Sequence, residues 1–136
     1  MNLFLNYQKR FLDYLKSLKK KKIIDLPNNL KNLTVELPPK DQKADISCNA
    51  AMILAKFNQK TPLDLANILK KNFLENFKEF EKIDVAKPGF LNINFKIDFW
   101  KNHLFKIIQS DANYGSNKNL NNIEMVNILE IRLNIS

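Results

Sequence analysis

The stretch IDVAKPGFLNINF, residues 83–95, decides the fold of this chain. Apolar and polar residues alternate on both sides of a Pro88-Gly89 turn signal, a pattern typical of two half-buried strands joined in a hairpin. The second strand should turn inward Leu91, Ile93 and Phe95, and outward Phe90, Asn92 and Asn94. An outward ring and two amides could stack on an unpaired base and hydrogen-bond its edges. They could equally form the polar outer face of an ordinary sheet.

Helix patterns surround this hairpin. Apolar residues recur at three- and four-residue spacing in residues 2–20, 44–57 and 99–110, and Thr61-Pro62 is a strong start for a further helix. Asp45 or Ser47 is the expected cap of the second helix, and Asp98 of the last. Residues 33–37 alternate as a short strand before Pro38-Pro39. These patterns predict an α+β fold in one domain, with a small antiparallel sheet of about four strands and helices packed on one side.

Charge is concentrated in the first third of the chain. The formal net charge is +8, and residues 1–43 carry ten Lys or Arg against four Asp or Glu. A basic segment indicates a polyanion partner, most commonly nucleic acid, although AT-rich codon usage also favours lysine. The candidate phosphate contacts are Lys19, Lys20, Lys21 and Lys22. Lysines at the end of a helix also complement its dipole, which needs no ligand.

The amino-acid composition does not support a catalytic function. Two glycines, one histidine and one cysteine exclude a glycine-rich phosphate loop and a His/Cys zinc site. Cys48, expected in the first turn of the helix 44–57, is interpreted as structural because His103 is far away in sequence. No apolar run approaches a bilayer span, so no membrane contact is predicted. A single cysteine fits a reducing, cytoplasmic setting.

Two blocks of sequence are familiar in this order. Residues 37–56, LPPKDQKADISCNAAMILAK, contain Asp45 and the pattern Asn-x-Ala-Met-x-Leu-Ala-Lys, and the Thr61-Pro62 helix start follows. Residues 85–92, VAKPGFLN, contain Pro-Gly-Phe-hydrophobic-Asn. Together the blocks resemble the N-terminal additional domain of arginyl-tRNA synthetases. Ala44 stands where that family usually has glycine.

The resemblance implies a domain that contacts the elbow of tRNA, where the D-loop lies. In that family a D-loop base is contacted from the Pro-Gly-Phe strand, so the positions carried over are Phe90 and Asn92. The implied partner is tRNA(Arg), and the chain is expected to be a monomer. The full-length family enzyme uses ATP and arginine. No cofactor is expected in this chain.

The family's His-x-Gly-His catalytic signature is missing from this sequence, which has only His103. We therefore expect an isolated or truncated domain over residues 1–115, followed by a linker and atypical tail over residues 116–136. Such a chain should be inactive as a ligase by itself. The alternative function is a protein-interaction or scaffold module without an RNA role, in which Phe90 would be a core or interface residue.

Overall fold

The computed structural model describes residues 2–114 of the chain. Its elements in chain order are α1 (Leu3–Lys20), β1 (Val35–Glu36), β2 (Ile46–Cys48), α2 (Ala50–Leu54), a 3-10 turn (Lys56–Asn58), α3 (Pro62–Asn76), β3 (Phe80–Ala86), β4 (Phe90–Phe95) and α4 (Ile97–Tyr114). The fold is α+β, which confirms the prediction. The chain divides into two compact units, Met1–Asn94 and Phe95–Ser136. The predicted linker and tail, residues 116–136, lie outside the described residues.

The four strands form one sheet in the order β1-β2-β4-β3. β2 is antiparallel to both of its neighbours, with Cys48 opposite Val35 on β1 and opposite Leu91 on β4. These three residues share the core face, and each is at most 5% exposed. β3 and β4 are adjacent and joined by residues 87–89, as the hairpin pattern predicts.

α1 begins and packs as its sequence pattern predicts. The Asn2 side chain caps the helix by accepting hydrogen bonds from the backbone N–H groups of Phe4 and Leu5. The buried stripe of the helix is Tyr7, Phe11, Leu15 and Leu18. Phe11 stacks on Phe73 of α3 with 4.7 Å between the ring centroids. Tyr7 and Phe11 are thus core residues of the first unit.

The start of α3 also follows the sequence pattern. The Thr61 side chain accepts a hydrogen bond from the backbone N–H of Asp64 at 3.1 Å, and Pro62 occupies the first turn. Proline suits this position because its missing N–H would have no partner inside the helix. The helix ends at Asn76, and β3, the first strand of the hairpin, begins at Phe80.

The predicted helix within residues 44–57 is present, but its predicted start just after Asp45 or Ser47 is wrong. Residues Ile46–Cys48 form β2, and α2 begins only after Asn49. Neither Asp45 nor Ser47 caps this helix, because both lie before its start and Ser47 lies within the strand. Strand pairing on both edges of β2 supplies hydrogen bonds between distant segments, and these override the local helix pattern. Cys48 consequently lies in the sheet and not in a helix turn.

Two further boundaries differ from the prediction. β1 covers only Val35–Glu36, and Leu37 is 71% exposed. In the second unit, α4 begins at Ile97, so Asp98 lies in its first turn and does not cap it. The backbone carbonyl of Lys96 instead accepts hydrogen bonds from the N–H groups of Phe99 and Trp100.

Candidate nucleic-acid interface

The turn between β3 and β4 is held against the start of α3. A Cβ atom on Gly89 would lie 2.7 Å from the Pro62 Cβ and 3.3 Å from the Met52 Cγ. Since such carbon contacts are too short, only glycine lets the turn approach this closely. Met52 and Pro62 belong to the first sequence block, with its helix start, and Gly89 to the second. The structure therefore brings the two blocks together at one place.

Phe90 follows this turn as the first residue of β4. It is 37% exposed, whereas the next residue, Leu91, is fully buried. The alternation predicted an outward ring here, and that orientation is confirmed. An aromatic ring beside a tight, rigid turn is a surface on which a base could stack. Its role as a tRNA contact remains a prediction.

The amides of the same face are not exposed, and this part of the prediction is wrong. Asn92 is 3% exposed and Asn94 is 2% exposed. The reason for Asn92 is that the loop between β1 and β2 reaches this face of the sheet, where Ser47, directly opposite Asn92, is also only 7% exposed. The Asn92 Nδ2 donates a hydrogen bond to Gln42 Oε1 at 3.3 Å, which joins it to the loop between β1 and β2.

The Asn92 amide is only partly satisfied in this position. Its Oδ1 is buried and accepts no hydrogen bond within the described part of the chain. The residue therefore cannot hydrogen-bond a base in the arrangement described, because its side chain is buried and contacts Gln42. Gln42 belongs to a polar loop, and nothing in the sequence pattern singled it out.

The predicted phosphate contacts lie together at the end of α1. Lys19 and Lys20 form its last turn, and all four lysines to Lys22 are exposed. Lys22 has a φ of 62° and ends the helix in the left-handed conformation. The N–H of Ile23 then donates to the Leu18 carbonyl and that of Lys22 to the Lys19 carbonyl, a Schellman cap. Within residues 2–114 no ion pair neutralises the four ammonium groups, so they can contact an anion.

A contact between Asp25 and Asn58 joins the chain just after the four lysines to the chain just before α3. The Asn58 side chain accepts a hydrogen bond from the Asp25 N–H at 2.7 Å and donates one to the Asp25 carbonyl at 3.1 Å. Asn58 and Pro62 are four residues apart, so their Cα atoms are at most about 15 Å apart. The chain between them carries Lys60, which is exposed. Residues 58–62 thus connect the chain that follows the four lysines to the turn that precedes Phe90.

A partly buried polar cluster lies at the other end of α3, and no pattern in the sequence indicated it. Glu79 Oε2 accepts hydrogen bonds from the Tyr7 hydroxyl at 2.6 Å and from Arg10 Nη1 at 2.7 Å. The Arg10 guanidinium also lies over the Tyr7 and Phe77 rings. The separation of 69 residues between Arg10 and Glu79 left no local signal. The cluster ties α1 to the chain just after α3.

Other chemistry is limited in the described part of the chain. Cys48 is a free, buried cysteine, and burial raises its thiol pKa to about 12. The described residues contain no group of three or more His, Cys, Asp or Glu side chains that could hold a metal ion. They also include no helix with the length and hydropathy needed to cross a membrane.

Comparison with known proteins decides the family. A family model described as "Arginyl tRNA synthetase N terminal domain" matches residues 6–95, more than half of the chain. The chain belongs to this family. The resemblance inferred from the two sequence blocks is thereby confirmed, and both blocks fall inside the matched residues.

Curated relatives include arginine–tRNA ligases from several bacteria. The chain is 40% identical over 117 residues to the one from Pelagibacter ubique, covering 86% of this chain and 20% of that protein. It is 33% identical over 128 residues to the one from Wolbachia pipientis subsp. Culex pipiens, covering 94% and 22%. The chain thus spans about a fifth of the length of these relatives. The structure of Thermus thermophilus arginyl-tRNA synthetase aligns with 65% of this chain and 14% of that one, with 26% identity and a TM-score of 0.49.

Proposed function

We propose that this domain binds tRNA(Arg) at its elbow, near the D-loop, and thereby supports the attachment of arginine. The observation that carries the proposal is the exposed Phe90 ring at the turn where the two family blocks meet. Gly89 and Pro62 fix the backbone on which the ring is mounted, so little conformational freedom is lost when a base stacks there. Stacking of one base on an aromatic side chain contributes about 1–3 kcal/mol.

Charge supports the same proposal. The four lysines at the end of α1 are exposed and have no acidic partner among residues 2–114. Each lysine that neutralises a phosphate releases a counterion, so binding should weaken as salt rises. The Asp25–Asn58 contact links the chain that follows these lysines to the segment that leads to Pro62 and the turn.

Catalysis belongs to other parts of the ligase in this proposal. The chain covers about a fifth of its curated relatives, and its two glycines do not form a phosphate loop. We assign ATP and arginine binding to the full-length ligases, and a tRNA-binding role in the cytoplasm, as a monomer, to this domain. If the following experiments show no tRNA binding, they favour the alternative function, a scaffold module without an RNA role.

The direct test is a titration of the chain with a tRNA(Arg) transcript at low and at moderate salt. The Phe90→Ala variant should bind about 5- to 150-fold more weakly, which corresponds to the loss of one stacked base. Phe105→Ala is the matched control, because it removes a 61% exposed ring from another element. Absence of binding by the wild-type chain at low salt would refute the proposal. Equal effects of the two substitutions on binding would show that Phe90 is not a specific part of the tRNA interface.

A second titration tests the lysines. The double variant Lys20→Gln/Lys21→Gln should reduce the slope of log K against log salt by about 1.4–1.8, because each phosphate contact contributes roughly 0.7–0.9. The control, Lys71→Gln/Lys78→Gln, removes the same charge toward the end of α3 away from Pro62. A slope change of the same size in the control would indicate a general effect of net charge and not a local contact.

A further inference from the structure

Phe57 is an exposed aromatic residue on the turn between α2 and α3. It lies in the 3-10 turn Lys56–Asn58 and is 48% exposed, more than Phe90 at 37%. The other phenylalanines among the described residues of the first unit are buried or half-buried. A single exposed apolar residue is common and needs no ligand to explain it. The residues around Phe57 are therefore what can indicate a ligand.

The turn that carries Phe57 is basic. Residues 56–60 contain Lys56 and Lys60, both exposed, and no acidic residue. Neither ammonium group takes part in an ion pair within residues 2–114. Proteins bind single-stranded nucleic acid with the same combination of groups, because an aromatic ring stacks on a base while cations beside it contact the phosphates.

The Asn58 side chain holds this turn beside the chain that follows the four lysines of α1. It accepts a hydrogen bond from the Asp25 N–H and donates one to the Asp25 carbonyl, and Phe57 is the residue directly before it. Residues 19–25 and 56–60 together contain six lysines and one acidic residue, Asp25. The two segments that this contact joins therefore carry the charge that suits a polyanion.

Both segments also end a helix in the same way. Lys22 and Gln59 have φ angles of 62° and 54°, and they are the non-glycine residues with a left-handed backbone within residues 2–114. In each case the N–H of the next residue donates to the carbonyl five residues before it, as in a Schellman cap. A residue with a Cβ atom is strained at such a position, whereas glycine is not. Strained residues of this kind cluster at functional sites.

We propose that Phe57 is a second base-stacking position of the domain, separate from the hairpin, and that Lys56 and Lys60 contact the phosphates beside the stacked nucleotide. Its ligand is an unpaired nucleotide of the RNA that also contacts Phe90, so this inference rests on the proposed tRNA-binding function. The chain from Phe57 to Pro62 spans at most about 18 Å, and Pro62 touches the turn that precedes Phe90. One RNA molecule can therefore contact both rings.

A series of substitutions at Phe57 separates stacking from apolar packing. Phe57→Ala should bind the tRNA(Arg) transcript about 5- to 150-fold more weakly at low salt, the range for one stacked base. Phe57→Leu should lose nearly as much, because it keeps the apolar volume but has no flat ring. Phe57→Tyr keeps the ring and should bind like the wild type. Unchanged binding by Phe57→Ala, or wild-type binding by Phe57→Leu, would overturn the proposal.

The two lysines are tested by the salt dependence of binding. Lys56→Gln/Lys60→Gln should reduce the slope of log K against log salt by about 1.4–1.8, if each lysine contacts one phosphate. Lys71→Gln/Lys78→Gln is again the control for net charge. A slope equal to that of the wild type, or equal to that of the control, would overturn the phosphate contacts. Thermal unfolding of each variant checks that it folds.

A fluorescence readout covers the case in which Phe57→Ala does not fold. Phe57→Trp keeps a stacking ring and adds an exposed indole, whereas the native Trp100 is 3% exposed. Adding the transcript should quench the emission of Phe57→Trp more strongly than that of the wild type, whose one tryptophan is Trp100. Equal quenching while the transcript binds would overturn the proposal and leave the proposed function intact. A wild-type chain that does not bind at low salt would overturn both proposals.

Discussion

Gly89 on the hairpin turn and Pro62 at the start of α3 are in contact so close that glycine is required. A Cβ atom at position 89 would lie 2.7 Å from the Pro62 Cβ and 3.2 Å from the Pro62 carbonyl oxygen. Neither group can move easily, since one belongs to a proline ring and the other to helix backbone. The contact packs the Pro-Gly turn directly against the Thr-Pro helix start.

Replacement of Gly89 should therefore destabilise the fold. Gly89→Ala is expected to lower the free energy of unfolding by about 1–3 kcal/mol, the usual range for an added methyl group in a packed site. Urea unfolding monitored by circular dichroism measures this change. Lys87→Ala is the control, since Lys87 is an exposed residue of the same turn, and it should change stability by less than about 0.5 kcal/mol. Equal stability of Gly89→Ala and the wild type would contradict the contact.

At Lys22, in contrast to Gly89, a substitution should stabilise the fold. Its φ of 62° places a residue with a Cβ in the left-handed region, which glycine adopts without strain. Lys22→Gly should raise the free energy of unfolding by about 0.5–1 kcal/mol after allowance for the greater freedom of glycine in the unfolded chain. Lys22→Ala removes the same charge but keeps the strain, so it should not stabilise the protein. If the two variants are equally stable, the helix end is not under strain.

The Glu79 cluster should make stability depend on pH. Burial by itself would raise the pKa of the Glu79 carboxyl, but hydrogen bonds from Tyr7, from the Glu79 backbone N–H and from Arg10 outweigh it and leave the pKa below the ordinary value of 4.5. A carboxyl with a lowered pKa in the folded state contributes stability that is present above pH 4.5. This stability is lost as the pH falls through the lower, folded-state pKa.

Glu79→Gln is the variant that isolates this contribution. At neutral pH it should lower the free energy of unfolding by about 1–2 kcal/mol. This is less than the contribution of a fully buried charged hydrogen bond, because Arg10 is partly exposed to solvent. The difference from the wild type should shrink as the pH falls below 4.5. Asp84→Asn is the control, since the Lys82–Asp84 pair is 3.5 Å long and more than half exposed. A difference that stays constant with pH would show that the Glu79 charge is not involved.

Cys48 should be unreactive in the folded protein. The side chain is fully buried in the sheet, and burial raises the thiol pKa to about 12. The reactive thiolate is therefore scarce at pH 8, and reagents also cannot reach the sulfur. A thiol-specific disulfide reagent such as DTNB should react slowly with the native chain and rapidly in denaturant. Fast reaction under native conditions would mean that β2 opens readily or that the side chain is exposed.

Local sequence signals predicted the elements whose cause is local. The Thr61 cap with Pro62, the aromatic stripe of α1 and the Pro-Gly turn each act within a few residues, and each is found where the pattern indicated. β2 was mistaken for part of a helix because its stability comes from two strands that are distant in sequence. The alternation of apolar and polar residues correctly assigned the β4 side chains to two faces of the sheet. It could not reveal that the face with Asn92 and Asn94 is also covered.

The sequence by itself determined the α+β class and the outward ring of Phe90, because capping, alternation and turn signals act between neighbouring residues. It also determined the family, through the two sequence blocks. Only the tertiary structure decided that Asn92 is buried beneath Gln42, that Gly89 contacts Pro62, and that Glu79 joins Tyr7 and Arg10. Each of these contacts joins residues far apart along the chain. Their distances depend on how the sheet and helices pack, and no local pattern in the sequence records that packing.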